Sequence, residues 1–234
     1  MCGRFSLSSS VADVARQFGV DEICVDELPP RWNVAPTQPV YAVITSPGDT
    51  SRQLHSPRWG LYAHRVINLR QETVRRRRSF QARRCLIPAN GFYEWHQHNP
   101  YYFRSARSGS ALLGLAGVWE GDSSDRPESC AILTTRPNRV VAPVHDRMPA
   151  IVAPELWEIW LAPEPLEPEE ADAILSPAPE ASLVTWRVGT LVNSPRREGP
   201  ELVAPLEEID DPSFPGFELG PEHLEPPGAG RFSR

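Results

Sequence analysis

Lysine is absent from the 234 residues: all 24 basic side chains are arginines. The chain therefore offers no lysine for imine chemistry, and its one primary amine is the α-amino group. No apolar run approaches the roughly 20 residues that a membrane-spanning helix needs, and residues 1–10 lack the apolar h-region of a secretory signal. The four cysteines, Cys2, Cys24, Cys85 and Cys130, are widely scattered and none forms a CxxC pair. Neither a zinc site nor a redox dithiol is suggested, and a reducing cytoplasm is the expected setting.

What remains is a chain long enough to bury a core, with its charge polarised. The formal net charge is −6, yet residues 52–107 carry 12 arginines against two acids, Glu72 and Glu94. Residues 206–234 carry seven acids against two arginines. A basic segment of this kind can attract phosphates whatever the overall sign, or it can be a solvated face. Residues 1–206 are expected to form one domain. Residues 207–234, acidic and rich in Pro and Gly, read as a disordered tail.

Along the chain, Ser8-Ser9-Ser10 before an apolar-periodic stretch, with Gly19 beyond it, predicts a capped helix. Residues 40–44 and 53–61 read as strands around a Pro47-Gly48-Asp49 turn. Residues 85–88 read as a further strand, Asn90-Gly91 as a turn, and Phe92-Tyr93-Glu94-Trp95 as a strand. Its alternation puts Tyr93 and Trp95 on one face and Phe92 and Glu94 on the other. Strands follow at 101–103, 112–119 and 130–134. Helices are expected at 155–161 and 168–175, with late strands at 183–188 and 191–192. Many strands with few crossover-length helices predict an α+β fold with largely antiparallel pairing.

Cys2 directly follows the initiator Met. Its small size predicts removal of Met1, after which one residue would carry both a thiol and a free α-amine. With ordinary pKa values of roughly 8.5 and 7.7–8.0, a minority of each is nucleophilic near pH 7. An aldehyde meeting that pair would form an imine with nitrogen, and sulfur would close a five-membered thiazolidine. Three more polar residues sit among apolar neighbours. Asn68 follows Val66-Ile67. Glu94 lies between Tyr93 and Trp95, where an aromatic setting would raise its pKa and suit it to acid–base work. His145 precedes Asp146-Arg147, and His is the usual proton shuttle near neutral pH. Each has an ordinary alternative: a strand-end Asn, a solvent-facing Glu, a surface His.

Taken together, these stretches resemble the SRAP (SOS-response-associated peptidase) family, whose members form covalent adducts with abasic sites in single-stranded DNA. The matching segments are Met1-Cys2-Gly3-Arg4-Phe5, Arg31-Trp32-Asn33-Val34-Ala35-Pro36, Trp59-Gly60-Leu61 and Ile67-Asn68-Leu69-Arg70-Gln71-Glu72-Thr73. They continue with Arg84-Cys85-Leu86-Ile87-Pro88-Ala89-Asn90-Gly91-Phe92-Tyr93-Glu94-Trp95, Thr134-Thr135, His145-Asp146-Arg147-Met148-Pro149 and Gly199-Pro200-Glu201-Leu202-Val203. The resemblance implies antiparallel strands curled into a barrel-like core with flanking helices. It also implies a monomer acting on single-stranded DNA that contains an abasic site, with no metal, cofactor or membrane.

The resemblance further implies a role for each site residue. Cys2 would be the nucleophile. Asn68 would hold the α-amine, Glu94 would move protons during imine formation and ring closure, and His145 would assist opening of the sugar. Arg4, Arg70 and Arg147 would hold phosphates, a task that suits the planar guanidinium fork. Asn33 would support the amino terminus or the DNA backbone.

Two features depart from the family pattern. Only Tyr62-Ala63-His64-Arg65-Val66 separates Leu61 from Ile67, a shorter insert than usual, which leaves Tyr62 or His64 as candidate base-stacking groups. Leu69 stands where Ala is common, and would either crowd the site or point into the core. Three rival readings stay open: a glutaminase-type amidotransferase that also begins Met-Cys-Gly, a thiol peptidase limited to removing Met1, and a non-covalent reader of single strands. Since an acylated nitrogen cannot form an imine, the intact mass of reactive protein is expected to be short by one Met residue. A fully reactive sample retaining Met1 would contradict this.

Overall fold

The structure, a computed structural model, describes residues 2–45, 48, 50–61, 66–74, 78–107, 111–121 and 127–206. The tail reading for 207–234, the stacking candidates Tyr62 and His64, and the arginines at 75–77 lie outside the described residues. Fourteen strands are described: β1 (Arg4–Leu7), β2 (Glu22–Ile23), β3 (Arg31–Val34), β4 (Ala42–Thr45), β5 (Arg52–His55), β6 (Arg58–Trp59) and β7 (Asn68–Arg70), then β8 (Arg84–Ala89), β9 (Gly91–His96), β10 (Asn99–Ser105), β11 (Leu113–Gly121), β12 (Pro127–Thr135), β13 (Met148–Pro149) and β14 (Leu183–Arg187). The helices are α1 (Val11–Phe18), α2 (Gln71–Val74), α3 (Arg78–Ala82), α4 (Trp157–Leu161) and α5 (Pro168–Ile174).

The strands form two sheets. One has five strands in the order β14-β10-β9-β1-β3. The other has nine, running β13-β12-β11-β8-β4-β5-β2, with β6 and β7 laid parallel alongside β12. The α+β class with mainly antiparallel pairing is what forms, and among the described residues no closed barrel is found. Each hydrogen-bonded path ends in edge strands, and among the described residues neither closes on itself. Nor is Asn90-Gly91 a hairpin turn: there the chain leaves the large sheet at the end of β8 and enters the small one as β9. Asn90 secures the corner, its Oδ1 accepting the backbone N–H groups of Ser8 at 2.7 Å and Ser9 at 3.3 Å. Gly91 has no space for a side chain, because a Cβ there would lie 2.4 Å from the Phe103 carbonyl oxygen.

Period-two alternation sorts the small sheet's side chains. Phe5, Phe92 and Phe103 point inward to the main core, where Phe92 stacks on Phe103 at 5.0 Å and Phe5 meets Trp59 at 5.3 Å. Burial of each such ring contributes about 1.5–3 kcal/mol. Tyr93 and Tyr102 point the other way, into a second cluster with Val188, Val192 and Leu202. That outer face is covered by the stretch from β14 to residue 203. Within it residues 191–192, expected as a strand, instead lie in the 3-10 turn Thr190–Asn193. A two-residue apolar pair is too short for periodicity to separate strand from turn.

Helix α1 forms as its caps predict. Ser10 Oγ accepts the Asp13 N–H at 3.2 Å, and Gly19 closes the helix at φ 62°. Phe18 then stacks on Trp157 at 4.3 Å. Leu69, the bulky departure beside Asn68, is buried in the core and so points away from its polar neighbours. Leu61 and Val66 exchange backbone hydrogen bonds of 3.0 and 3.2 Å.

The basic stretch is not all phosphate-facing. Arg84 is buried beneath Trp160, and donates to the carbonyls of Trp160 (2.7 Å), Phe80 (2.9 Å), Gln81 (3.0 Å), Glu164 (2.7 Å) and Ala162. Burial lowers its pKa to about 10, and the carbonyls replace water around the charge. Arg84→Ala strands several buried acceptors, each costing about 1–3 kcal/mol. Chemical denaturation is therefore expected to show a loss of at least about 3 kcal/mol. A loss under 1 kcal/mol would mean the carbonyls find other donors.

Candidate site at the amino terminus

Four of the expected residues converge where the chain begins. β1 lies antiparallel to β9, with Arg4 opposite Tyr93 and Phe5 opposite Phe92, which brings the residues before Arg4 alongside Glu94 and Trp95. Cys2 is fully buried. From the other side β7, paired with β12, delivers Asn68, whose Nδ2 donates to the Cys2 carbonyl at 2.7 Å. The contact described is to the Cys2 carbonyl. It fixes the amide's orientation, because a carbonyl can only accept. Asn68 Oδ1 is left buried, with no hydrogen bond among the described residues.

Glu94 is 1% exposed on the inward face of β9. Burial raises its pKa to about 7, with the positive amino terminus partly offsetting that and Asp146 adding to it. His145 follows the turn formed by residues 139–144, which Asn138 caps through its Oδ1 to the N–H groups of Val140 (3.1 Å) and Val141 (3.0 Å). Its Nε2 lies 3.9 Å from Glu94 Oε2. Its Nδ1 accepts the Arg147 backbone N–H at 3.0 Å. That contact favours a neutral ring with its proton on Nε2, facing Glu94, whereas Asp146 Oδ1, also 3.0 Å from Nδ1, favours the other tautomer. Burial, and then the amino terminus, lower the His145 pKa, while Asp146 opposes them. Burial also drives the Cys2 thiol pKa well up, and the charge of Glu94 adds to it. At neutral pH the site therefore holds a neutral thiol, a neutral imidazole and a carboxyl group near half-protonation.

The arginines divide. Arg147 belongs to the same loop as His145. Its Nη1 and Nη2 make a two-point contact with the Glu72 carboxylate, at 2.7 and 3.1 Å, and Nη2 also reaches the Thr134 carbonyl at 2.6 Å. Arg70, at the end of β7, is exposed. Arg4 sits on the opposite face of the small sheet from Glu94. Its Nη1 donates to Asn33 Oδ1 at 2.6 Å and to the Val192 carbonyl at 3.0 Å, and its guanidinium lies 5.9 Å from the Trp95 ring. Asn33 is fully buried, its Nδ2 shared among the carbonyls of Val192, Ser194 and Arg197. Asn33 is thus placed as a support for Arg4, with its own amide engaged within the chain. Glu198 also belongs to this group, its Oε2 accepting the N–H groups of Trp32 (2.8 Å) and Asn33 (3.1 Å) at the free edge of β3. Sequence reasoning missed Glu198, since nothing in its Arg-Glu-Gly surroundings marks it. It missed Glu72 as well, although that residue stands inside a quoted motif.

This geometry meets an independent observation: the family model described as SOS response associated peptidase (SRAP) matches residues 1–195. The chain belongs to the SRAP family. Among its SRAP relatives are Abasic site processing protein YoqW of Bacillus subtilis, 34% identical over 223 residues, with 87% of this chain and 99% of that protein covered. Abasic site processing protein YedK of Escherichia coli is 28% identical, covering 88% and 100%. Abasic site processing protein HMCES of Rattus norvegicus is 27% identical, covering 78% and 67%. A solved structure of a protein from Bacteroides thetaiotaomicron shares the fold, with TM-score 0.73 and 23% identity over 88% of this chain and all of that one.

For this SRAP protein, Glu94 sets a pH dependence of stability. Its carboxyl pKa is raised in the fold, from 4.5 to about 7, so the native state keeps a proton that the unfolded chain has lost. Stability is expected to be highest below pH 4.5 as far as this group is concerned, and to fall as pH rises to about 7. The total is on the order of 3 kcal/mol. Glu94→Gln removes the burial cost of the charge and is expected to flatten the slope and to be more stable at pH 8. Urea unfolding at pH 5 and pH 8 measures this, and an unchanged slope in the variant would locate the titration elsewhere.

Proposed function

We propose that this protein senses and shields abasic sites in single-stranded DNA by a covalent thiazolidine crosslink through Cys2, formed after Met1 is removed. The observation that carries this reading is the convergence of Asn68, Glu94 and His145 on the start of the chain, in a family whose relatives are named for abasic-site processing. The ring-opened deoxyribose presents an aldehyde. The Cys2 amine adds to it, and loss of the aldehyde oxygen as water gives an imine. The Cys2 sulfur then adds to the imine carbon and its proton passes to nitrogen, closing the ring. Water is the only by-product and no reductant is consumed.

The protonation states suit these steps. A carboxyl group near half-protonation at pH 7 can give a proton to the departing water and then take one from the thiol. That second role is needed because a buried thiol does not ionise by itself. Asn68 Oδ1, buried and without a hydrogen bond among the described residues, would accept the N–H of the Cys2 amine. His145, with a proton on Nε2, can protonate the sugar oxygen as the furanose opens. Arg70 and Arg147 on this side of the small sheet, and Arg4 held by Asn33 on the other, would grip the phosphates flanking the lesion.

The test is denaturing electrophoresis of the protein with single-stranded DNA bearing one abasic site. A stable adduct is expected without added metal, nucleotide or reductant. Cys2→Ala keeps the amine but loses the sulfur, so its adduct should survive only after borohydride trapping. An equally durable untrapped adduct from Cys2→Ala would overturn the thiazolidine. Binding without any adduct in the parent protein would make it a non-covalent reader.

A further inference from the structure

His145 Nδ1 has two neighbours with opposite demands. The Arg147 backbone N–H, 3.0 Å away, needs a lone pair on that nitrogen. The Asp146 carboxylate, with Oδ1 also at 3.0 Å, needs a proton there. Which neighbour prevails decides whether the neutral ring carries its proton on Nε2, toward Glu94, or on Nδ1, toward solvent-exposed Asp146. The outcome depends on how firmly the Arg147 backbone is fixed. Its side chain provides the anchor, through the Thr134 carbonyl of β12 at 2.6 Å and the two-point contact with Glu72 of α2 at 2.7 and 3.1 Å. Glu72 is half-exposed and touches neither Cys2 nor Glu94 among the contacts described. Arg147 is largely covered, and its contact with Glu72 is the geometry in which a guanidinium and a carboxylate orient each other most strictly.

We propose that Glu72 is a positioning residue: by clamping Arg147 it keeps the Arg147 N–H on His145 Nδ1, and so holds the His145 proton on Nε2, directed at Glu94. This rests on the abasic-site reading for its catalytic meaning, but its structural content stands apart from DNA. The groups that face His145 are Glu94 at Nε2, Asp146 and the Arg147 N–H at Nδ1, and the positive amino terminus. Loosening Arg147 weakens the described contact that favours a bare Nδ1, and Asp146 then draws the proton away from the site.

The experiment has two arms. In the first, 15N-histidine-labelled protein lacking Met1 is examined by NMR without DNA at pH 7.5, with His145→Gln identifying the His145 signals. The parent protein is expected to show the Nε2–H tautomer. Glu72→Gln should show averaging toward Nδ1–H, and Glu72→Gln with Asp146→Ala should return to Nε2–H. In the second arm, single-turnover crosslinking is followed over a range of abasic-DNA concentrations and pH. Glu72→Gln is expected to lower the saturated rate by about tenfold or more, the scale on which a misplaced acid–base group is felt. Its half-saturating DNA concentration should not rise, its pH–rate profile should shift, and removal of Asp146 should recover the rate. An unchanged tautomer in Glu72→Gln overturns the proposal. So does a weakened half-saturation with an intact saturated rate, which would make Glu72 a docking residue. Should the parent protein form no adduct, the reading under Proposed function fails while the NMR arm still decides this one.

Discussion

A carboxylate taken out of water loses several kcal/mol of solvation unless hydrogen bonds or a counter-charge replace it. Glu94 sits in that position by construction: β9 is an interior strand of the small sheet, and alternation forces Glu94 inward with Phe92 while Tyr93 and Trp95 face out. What surrounds the carboxyl group is what the site needs. The amino terminus supplies positive charge, His145 presents Nε2, and the remaining cost appears as a pKa of about 7. The same burial disfavours the charged form of the Cys2 thiol. Stability is given up at Glu94, and a carboxyl group whose pKa lies near neutral pH is obtained there.

The two faces of the small sheet carry different polar groups. Its inward face carries Glu94 toward Cys2, Asn68 and His145. Its outward face carries Arg4, Tyr93 and Tyr102 under residues 188–203, where Asn33 and Glu198 tie the backbone to the edge of β3. The start of β1 touches both, because Cys2 and Gly3 directly precede Arg4, its first residue. A strain or slip in β1 would therefore move Cys2 and Arg4 together. Register matters here more than elsewhere: a one-residue shift against β9 would exchange the two faces.

Much of this was legible in the sequence where a residue's chemistry conflicts with its neighbourhood. Glu94 among aromatics, Asn68 after two β-branched residues and Cys2 at the start each announced themselves, and alternation gave the two faces of β9 correctly. The sheet path was not legible. Asn90-Gly91 has the composition of a hairpin turn, but the strands on either side pair with different partners, and only long-range pairing decides that. Residues 191–192 were too short to separate strand from turn. That Asn68 reaches the Cys2 carbonyl depends on how β7 is laid against β12. Arg84 shows the reverse failure: a basic residue in a basic stretch invites a phosphate reading, yet five backbone carbonyls already occupy it.

Arginine partners also bear on how a DNA strand would be taken up. Arg147 is bound to Glu72, and Arg4 to Asn33 and a backbone carbonyl, whereas Arg70 is the exposed one of the three. A phosphate arriving at Arg147 meets a guanidinium already paired with a carboxylate, so it must share the fork or displace Glu72. Sharing is possible because a guanidinium has five N–H donors, more than one carboxylate can use. Displacement would instead loosen the Arg147 backbone beside His145. Geometry that keeps His145 directed at Glu94 therefore favours sharing, with the phosphate on the outer edge of the guanidinium and Glu72 retained.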